Sequence, residues 1–310
     1  MRLIFMGTPE FALPSLSALH QSGHAVLSVV TQPDRPKGRG EHLAPPLAKL
    51  MAERFDLPVL QPTKMKDPAF IESLRALKPE MMVVVAFGRI LPPEILDLPP
   101  RGCVNLHASL LPKYRGAAPI QWAIINGEQE TGVTTIRMDP GMDTGDILLH
   151  ERVSILPEDT AGSLSVRMAE RGADLLLRTL KGIESGEIVP APQNSSEATM
   201  APLLEKEAGE MDWAQPAVAI VNRIRGLSPW PGAYTFYRDE RWRIWKGALI
   251  DKTSEEMPGT ILHGGRESLP VATGRGLLQI LEIQPENGRR MGIREFLAGH
   301  SVEAGVVLGT

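Results

Sequence analysis

One cysteine, Cys103, serves the whole 310-residue chain. A lone thiol cannot close an internal disulfide or build a CxxC metal site, and it fits a reducing compartment. No run approaches the roughly 18 consecutive apolar residues of a membrane-spanning helix. The opening MRLIFMGTPEF passes from a strand-like run straight into a turn, with no basic region and cleavage site, so a cytoplasmic protein without membrane attachment is expected. The seven histidines include no HExxH, and no metal is expected. Gly7 follows a strand, but the next glycine is Gly23, so the GxGxxG of a dinucleotide site is missing. The Gly38-Arg39-Gly40 loop lacks the Lys-Ser or Lys-Thr ending of a P-loop, and no GxSxG marks a hydrolase nucleophile. A net charge of -4 argues against indiscriminate nucleic-acid binding while leaving room for a local basic face.

What is present is a 43% hydrophobic chain, long enough for one large domain and a smaller one. Strand-like runs (RLIFM, AVLSVVT, MMVVVAF, GCVNLHA) alternate with helical ones (LAKLMAERF, FIESLRALK), the order of an α/β fold with a doubly wound, mostly parallel, Rossmann-like sheet. AAPIQWAIING, TGVTTIRM, GDILLHERVSI and residues 161–183 then read as helix, strand, strand and helix. The pattern dissolves in IVPAPQNSSEATMAP, so we expect a first domain over 1–187, a linker over 188–208 and a second domain over 209–310. Beyond a helical PAVAIVNRIRGL, the short runs AYTFYR, RWRIWKGALI, GTILH and GLLQILEI have the spacing of a small β-barrel or sandwich, and an OB-like β-barrel is expected.

The candidate site begins at VNLHASLLPKYRG. Side chains alternate along a strand, so Asn105 and His107 share a face, roughly 6.5 Å apart at Cα, and Val104 and Leu106 share the other. Pro112 and Gly116 mark the strand's end, the place where open parallel sheets bind ligands. Some 30 residues on, MDPGMDTGD crowds Asp139, Asp143 and Asp146 into one turn. An amide, an imidazole and a carboxylate together can hold a carbonyl, stabilise its developing oxyanion and move a proton. The set contains no nucleophile, so the attacking group belongs to a substrate. Cys103 reads as a small apolar core residue.

Asn-x-His, the following SLLPxxxG (Ser109, Leu110, Leu111, Pro112, Gly116) and Asp-x-Gly-x-Asp-Thr-Gly resemble the formyltransferase family that uses 10-formyltetrahydrofolate. TQPDRPKGRG, RGAAPIQWAI, ETGVTTIRMDPGMDTGDIL, SPWPGAYT and RIWKG extend the resemblance over nearly the whole chain. Ala108, where the family often has Gly or Pro, is a small departure. The resemblance implies formyl transfer from 10-formyltetrahydrofolate, with tetrahydrofolate as product, to the amino group of methionyl initiator tRNA, by a monomer. It assigns Asn105 and a protonated His107 to the oxyanion and Asp143 to His107 and the amine proton. Ser109, Leu110, Leu111 and Pro112 match the family's folate-binding segment. Phe87, Gly88, Arg89, Ile90 and Leu91, after another strand end, are expected to line the pterin pocket.

Two basic elements point to tRNA. The loop PDRPKGRGEHLAPP carries Arg35, Lys37 and Arg39, and by resemblance it is the insertion that enters the acceptor end, with Arg39 matching the family's key arginine. In the second domain Arg223, Arg225, Arg238, Arg241, Arg243 and Lys246 lie among Trp230, Tyr234, Tyr237 and Trp242, as on a nucleic-acid platform. Two rival readings are a formyltransferase for an amino sugar or other small amine, which has no need of these elements, and a non-catalytic folate- or RNA-binding protein.

Overall fold

A computed structural model describes residues 1–37, 42–250, 252–265 and 267–309. The chain forms two compact units. The first comprises Met1–Pro119, Glu130–Ser154 and Ser165–Pro202, and the second Ile120–Gln129, Ile155–Leu164 and Leu203–Thr310.

The strands of the first unit are β1 (Arg2–Gly7), β2 (Ala25–Val30), β3 (Arg35–Lys37), β4 (His42–Ala44), β5 (Val59–Leu60), β6 (Met81–Val85), β7 (Cys103–His107), β8 (Arg115–Gly116), β9 (Glu130–Arg137), β10 (Ile147–Ser154) and β11 (Met200–Ala201). Helices α1 (Leu13–Gln21), α2 (Leu47–Arg54), α3 (Pro68–Ala76) and α4 (Pro93–Leu96) lie between the parallel strands; α5 (Pro119–Ile125) follows β8 and α6 (Ala161–Ser185) follows β10. Seven strands form one sheet in the order β10-β9-β7-β6-β1-β2-β5. β7, β6, β1, β2 and β5 run parallel, whereas β9 is antiparallel to both of its neighbours. The chain winds outward from β1 through β2 to β5, then returns to β6 and β7 on the other side. The reversal lies between β1 and β6, where ligand crevices of such sheets open.

β6 is buried at every position, as a strand covered on both faces must be. Ile4, Met6, Val30, Met82, Val84 and Cys103 share a core with Phe70 and Leu74 of α3 and Ile95 and Leu96 of α4. Burying each of the larger side chains stabilises the fold by about 1.5–3 kcal/mol. On the opposite face Leu106 meets α6 at Gly172, where an added Cβ would lie 2.6 Å from Leu106 Cδ2.

The second unit is antiparallel: β12 (Ala233–Tyr237), β13 (Glu240–Ile250), β14 (Leu269–Ala272), β15 (Leu277–Gln284) and β16 (Met291–Gly292) form a five-stranded sheet, with α7 (Ala217–Gly226) before it and α8 (Ile293–Gly299) after it. Trp242 is its largest fully buried side chain, stacked on Tyr237 and edge-on to Phe296. The expected architecture, a mostly parallel α/β sheet with a smaller antiparallel β unit, is the one observed.

Three local expectations change. GTILH contributes only isolated bridges, Thr260 to Val307 and Ile261 to Val271. The strand beside it is β14, hidden in the sequence by Pro270. The basic loop is stemmed by a β3–β4 hairpin whose three-residue arms are too short to show a period. The stretch from Pro190 to Ala201, expected to link, is tied into the first unit: Ala191 bridges Ile147, and β11 pairs with β8.

Two expectations follow. Gly132 in β9 has no room for a Cβ, which would lie 2.3 Å from the Glu151 carbonyl oxygen and 2.4 Å from Leu110 Cδ2, whereas Gly23 has nothing within 4 Å. Gly132→Ala should therefore lose about 1–3 kcal/mol in denaturant unfolding through overpacking, while Gly23→Ala should lose none. Burial also pushes the Cys103 thiol up to about 12. The native protein should resist alkylation by iodoacetamide at mildly alkaline pH, and mass spectrometry should find the adduct only after unfolding.

Candidate active site

The face of β7 that begins in the core with Cys103 becomes polar two residues on. Asn105 is 9% exposed and His107 6%. Their register partners sit on the same face, Val84 of β6 and Ile136 of β9 beside Asn105, and Thr134 of β9 beside His107. The apolar neighbours wall the pair off from water, which strengthens any charge placed there.

The carboxylate arrives from the β9–β10 connection. Met138 N donates to Cys103 O, so this loop starts at the far end of β7 and must fold back over the strand to reach Asn105 and His107. Its close turns require Gly141 and Gly145, whose added Cβ atoms would lie 2.0 Å from Thr144 Oγ1 and 1.8 Å from Arg137 O. Asp143 itself takes a left-handed φ of 53°. Asp143 Oδ1 accepts from Asn105 Nδ2 at 3.4 Å and lies 3.6 Å from His107 Nδ1, while Oδ2 accepts from Gly116 N at 2.9 Å. The three candidate catalytic residues thus share one site. Asp139 does not join them: its Oδ1 accepts from Gly141 N and Thr144 Oγ1 and organises its own turn. Asp146 is exposed.

His107 Nε2 lies 2.8 Å from Tyr114 O, a carbonyl that can only accept. The hydrogen is on Nε2, so Nδ1 faces Asp143. The gap of 3.6 Å is an ion-pair distance and too long for a hydrogen bond. Nδ1 therefore makes no hydrogen bond to Asp143 and stays open to a third atom.

The Ser109–Pro112 segment is fastened beneath the site. Ser109 Oγ donates to Lys113 O, Thr134 Oγ1 donates to Ser109 O, and Leu111 N donates back to Thr134 Oγ1. Ser109 and Leu111 are buried; Leu110 and Pro112 are half-buried. The Phe87–Leu91 segment divides. Phe87 and Leu91 are 2% exposed and belong to the core, whereas Gly88 (φ 74°) is exposed and Ile90 stands 76% exposed. Arg89 donates to Thr63 O. At the crevice between β1 and β6, Phe87 O accepts from Thr8 Oγ1 and Gln32 Nε2.

The basic residues also separate by environment. Arg225 donates to the carbonyls of Leu156, Pro157 and Asp159 and to Asn222 Oδ1, and burial pulls its pKa below the ordinary guanidinium value. Arg223 donates to Ala208 O. Both are committed to the second unit's own scaffold. Arg241 and Arg243 instead lie on the outer face of β13, over the rings of Tyr234 and Trp245, and Lys246 is exposed beside them. Trp242 and Tyr237 point into the core. Arg35 donates to Gln32 Oε1, the Lys37 backbone is in β3, and Arg39 lies outside the described residues.

Residues to which the sequence assigned no role complete the picture. Gln193, Arg115 and Thr134 brace the site, and Trp245, Phe236 and Arg290 extend the outer face of the β unit. The alternation of RWRIW hinted only at Trp245; Arg290 lies over its ring, and Phe236 stands edge-on to Tyr234.

The formyl transferase family profile matches residues 1–180, and the formyl transferase C-terminal domain matches residues 203–301. The methionyl-tRNA formyltransferase of Caldanaerobacter subterraneus subsp. tengcongensis is 51% identical over 309 residues, covering 99% of this chain and 100% of that protein. That of Alkaliphilus oremlandii is 48% identical, with 100% of both chains covered. Among solved structures, a sugar 3N-formyl transferase crystallised with dTDP and 5-N-formyl-THF shares the fold, with a TM-score of 0.68 at 18% identity over 93% of this chain and 99% of that one. No helix among the described residues is long and apolar enough to cross a membrane. Carrying both domains and matching such relatives end to end, the chain is an enzyme that belongs to the methionyl-tRNA formyltransferase family.

Proposed function

We propose that the protein transfers the formyl group of 10-formyltetrahydrofolate to the α-amine of methionyl initiator tRNA, through Asn105, His107 and Asp143. The observation that carries this reading is the convergence of all three side chains on one buried point. The donor supplies an activated formyl carbon. Attack by the amine moves charge onto the formyl oxygen, and the chain offers two donors there: the second Asn105 N–H, since Asp143 engages only one, and the Nδ1 proton of an imidazolium whose Nε2–H is held by Tyr114 O. Asp143 balances that cation and accepts the amine proton, directly or through water; as the tetrahedral intermediate collapses, the bond from the formyl carbon to folate N10 breaks and N10 takes up a proton, so tetrahydrofolate leaves and the carboxylate is restored. No step needs a metal, and one chain carries the whole set, so the reading requires no second copy. A cytoplasmic location agrees with a tRNA substrate and an unpaired cysteine.

The folate fits the switch-point crevice. Gly88 leaves backbone open there and Ile90 offers an apolar side chain to solvent, a setting that suits a flat polar ring. Ser109–Pro112 supply the wall beside the triad, and Phe87 and Leu91 act from behind as packing. For the tRNA, Arg35, Lys37 and Arg39 belong to the loop assigned to the acceptor end. Arg241, Arg243 and Lys246 provide phosphate contacts, with Arg223 and Arg225 shaping the scaffold.

The decisive assay mixes purified protein with 10-formyltetrahydrofolate and either charged initiator tRNA or a nucleotide-linked amino sugar. Formylmethionyl-tRNA alone is expected; a formylated sugar without it overturns the reading. Asn105→Ala and His107→Ala should each lower kcat on the order of 100- to 1,000-fold with little change in folate affinity, because they act on charge present only in the transition state. Stopped assays at saturating folate, paired with folate titration, measure both. Replacing Arg241, Arg243 and Lys246 by Ala should weaken tRNA binding and lower the logarithmic salt slope by roughly 0.7–0.9 per lost phosphate contact. An unchanged slope would make that face a solvated surface.

A further inference from the structure

Gln193 lies in the Pro- and Ser-rich stretch, where composition suggests only a connection, yet its side-chain amide is used at every position. Nε2 donates to Asp143 O at 2.8 Å and to Gly145 O at 2.7 Å, and Oε1 accepts from Arg115 Nε at 3.1 Å and Nη2 at 2.7 Å. An amide has two donor hydrogens and two acceptor lone pairs. All four are spent on the connection that carries Asp143 and on the segment after β7.

The backbone around Gln193 is fixed on both sides. Ala191 exchanges two hydrogen bonds with Ile147 at the start of β10, and Met200 and Ala201 pair with Arg115 and Gly116. Arg115 is 7% exposed, so its guanidinium is an interior strut. What this frame supports is a strained conformation. A non-glycine residue at positive φ costs about 1–3 kcal/mol and persists only where its surroundings over-determine it. Asp143 meets that condition through its carboxylate, bound by Asn105 and Gly116, and through its carbonyl, bound by Gln193.

We propose that Gln193, held by Arg115, is a positioning residue that sets the Asp143 carboxylate against His107 and Asn105 for formyl transfer. It works on the backbone of Asp143, touches no reacting atom and leaves folate binding alone. The proposal rests on the catalytic reading of Asp143.

Gln193→Glu separates its two halves. A glutamate keeps the Arg115 contact and gives it charge, but presents an acceptor to the carbonyls of Asp143 and Gly145. A brace acting only through Arg115 survives this change; a donor to Asp143 O does not. Both Gln193→Ala and Gln193→Glu should lower kcat roughly 10- to 100-fold, as expected when a reacting group is displaced by about an ångström. The KM for 10-formyltetrahydrofolate and the melting temperature of Gln193→Glu should stay near those of the parent. In an Asp143→Asn background the same substitutions should cost little more, because the group they position has gone. Near-parental turnover of Gln193→Glu, or full additivity with Asp143→Asn, overturns the proposal. Near-parental turnover of Asp143→Asn alone overturns the catalytic reading beneath it, and that result is read independently of Gln193.

Discussion

A single carboxylate sets the terms for the rest of the candidate site. Asp143 reaches a nearly buried amide and imidazole, and each partner needs it for a different reason. Asn105 gives it one N–H, and because a carboxylate can only accept, this fixes the amide orientation. His107 has a carbonyl oxygen on Nε2, and its other ring nitrogen lies 3.6 Å from the carboxylate, which is the counter-charge for any proton placed there. A buried charge without its partner is costly, and a partner misplaced by an ångström is nearly as poor. The demand on the fold is therefore positional: a loop residue must be held as firmly as a strand residue.

The sheet meets that demand by changing direction at its edge. Five parallel strands bring β6 and β7 side by side with their carboxyl ends together, and a sixth parallel strand would have required another long crossover. β9 instead runs antiparallel, so Thr134 lands beside His107 and Ile136 beside Asn105 while the chain exits toward Cys103. The connection to β10 then has to double back across the strand. Gly141 and Gly145 permit the close approaches, Asp143 accepts a left-handed backbone, and the Pro190–Ala201 stretch crosses to tie the loop down. Ala86 and Tyr114, in the connections after β6 and β7, also take a left-handed φ, of 47° and 60°.

Periodicity made much of this readable. The alternation in CVNLH is enough to put Asn105 and His107 on one face, and the apolar run MMVVV could only be an interior strand. The SLLP and DPGMDTGD segments were legible because turn formers and carboxylates stand where helices and strands do not. Tertiary hydrogen bonding left no such trace. Nothing in PAPQNSS distinguishes a glutamine that grips two carbonyls from one in solvent, because the contact joins residues 143 and 193 and has no period. Asp139 and Asp143 looked equivalent for the same reason: one turns an oxygen back onto its own loop, the other reaches outward to Asn105 and His107 of β7 and to Gly116 of β8. Pro270 hid β14, since an edge strand tolerates a proline that a sequence pattern counts against it.

The same limit governs the basic residues, and it explains how a chain of net charge -4 can present a local cationic face. Counting arginines treats Arg223, Arg225, Arg241 and Arg243 alike. Position on α7 turns the first pair toward main-chain carbonyls, where the guanidinium works as a multiple donor inside the fold. Position on β13 sends Trp242 and Ile244 inward and Arg241, Arg243 and Trp245 outward, so the alternation that builds the core also lays cations over Tyr234 and Trp245. Rings beneath the guanidinium groups limit their freedom before any partner arrives, which lowers the entropy lost on contact. A cationic face here needs no excess of charge in the whole protein, only a run, Arg241–Trp245, whose odd positions are cationic and aromatic and whose even positions are core, followed by the exposed Lys246.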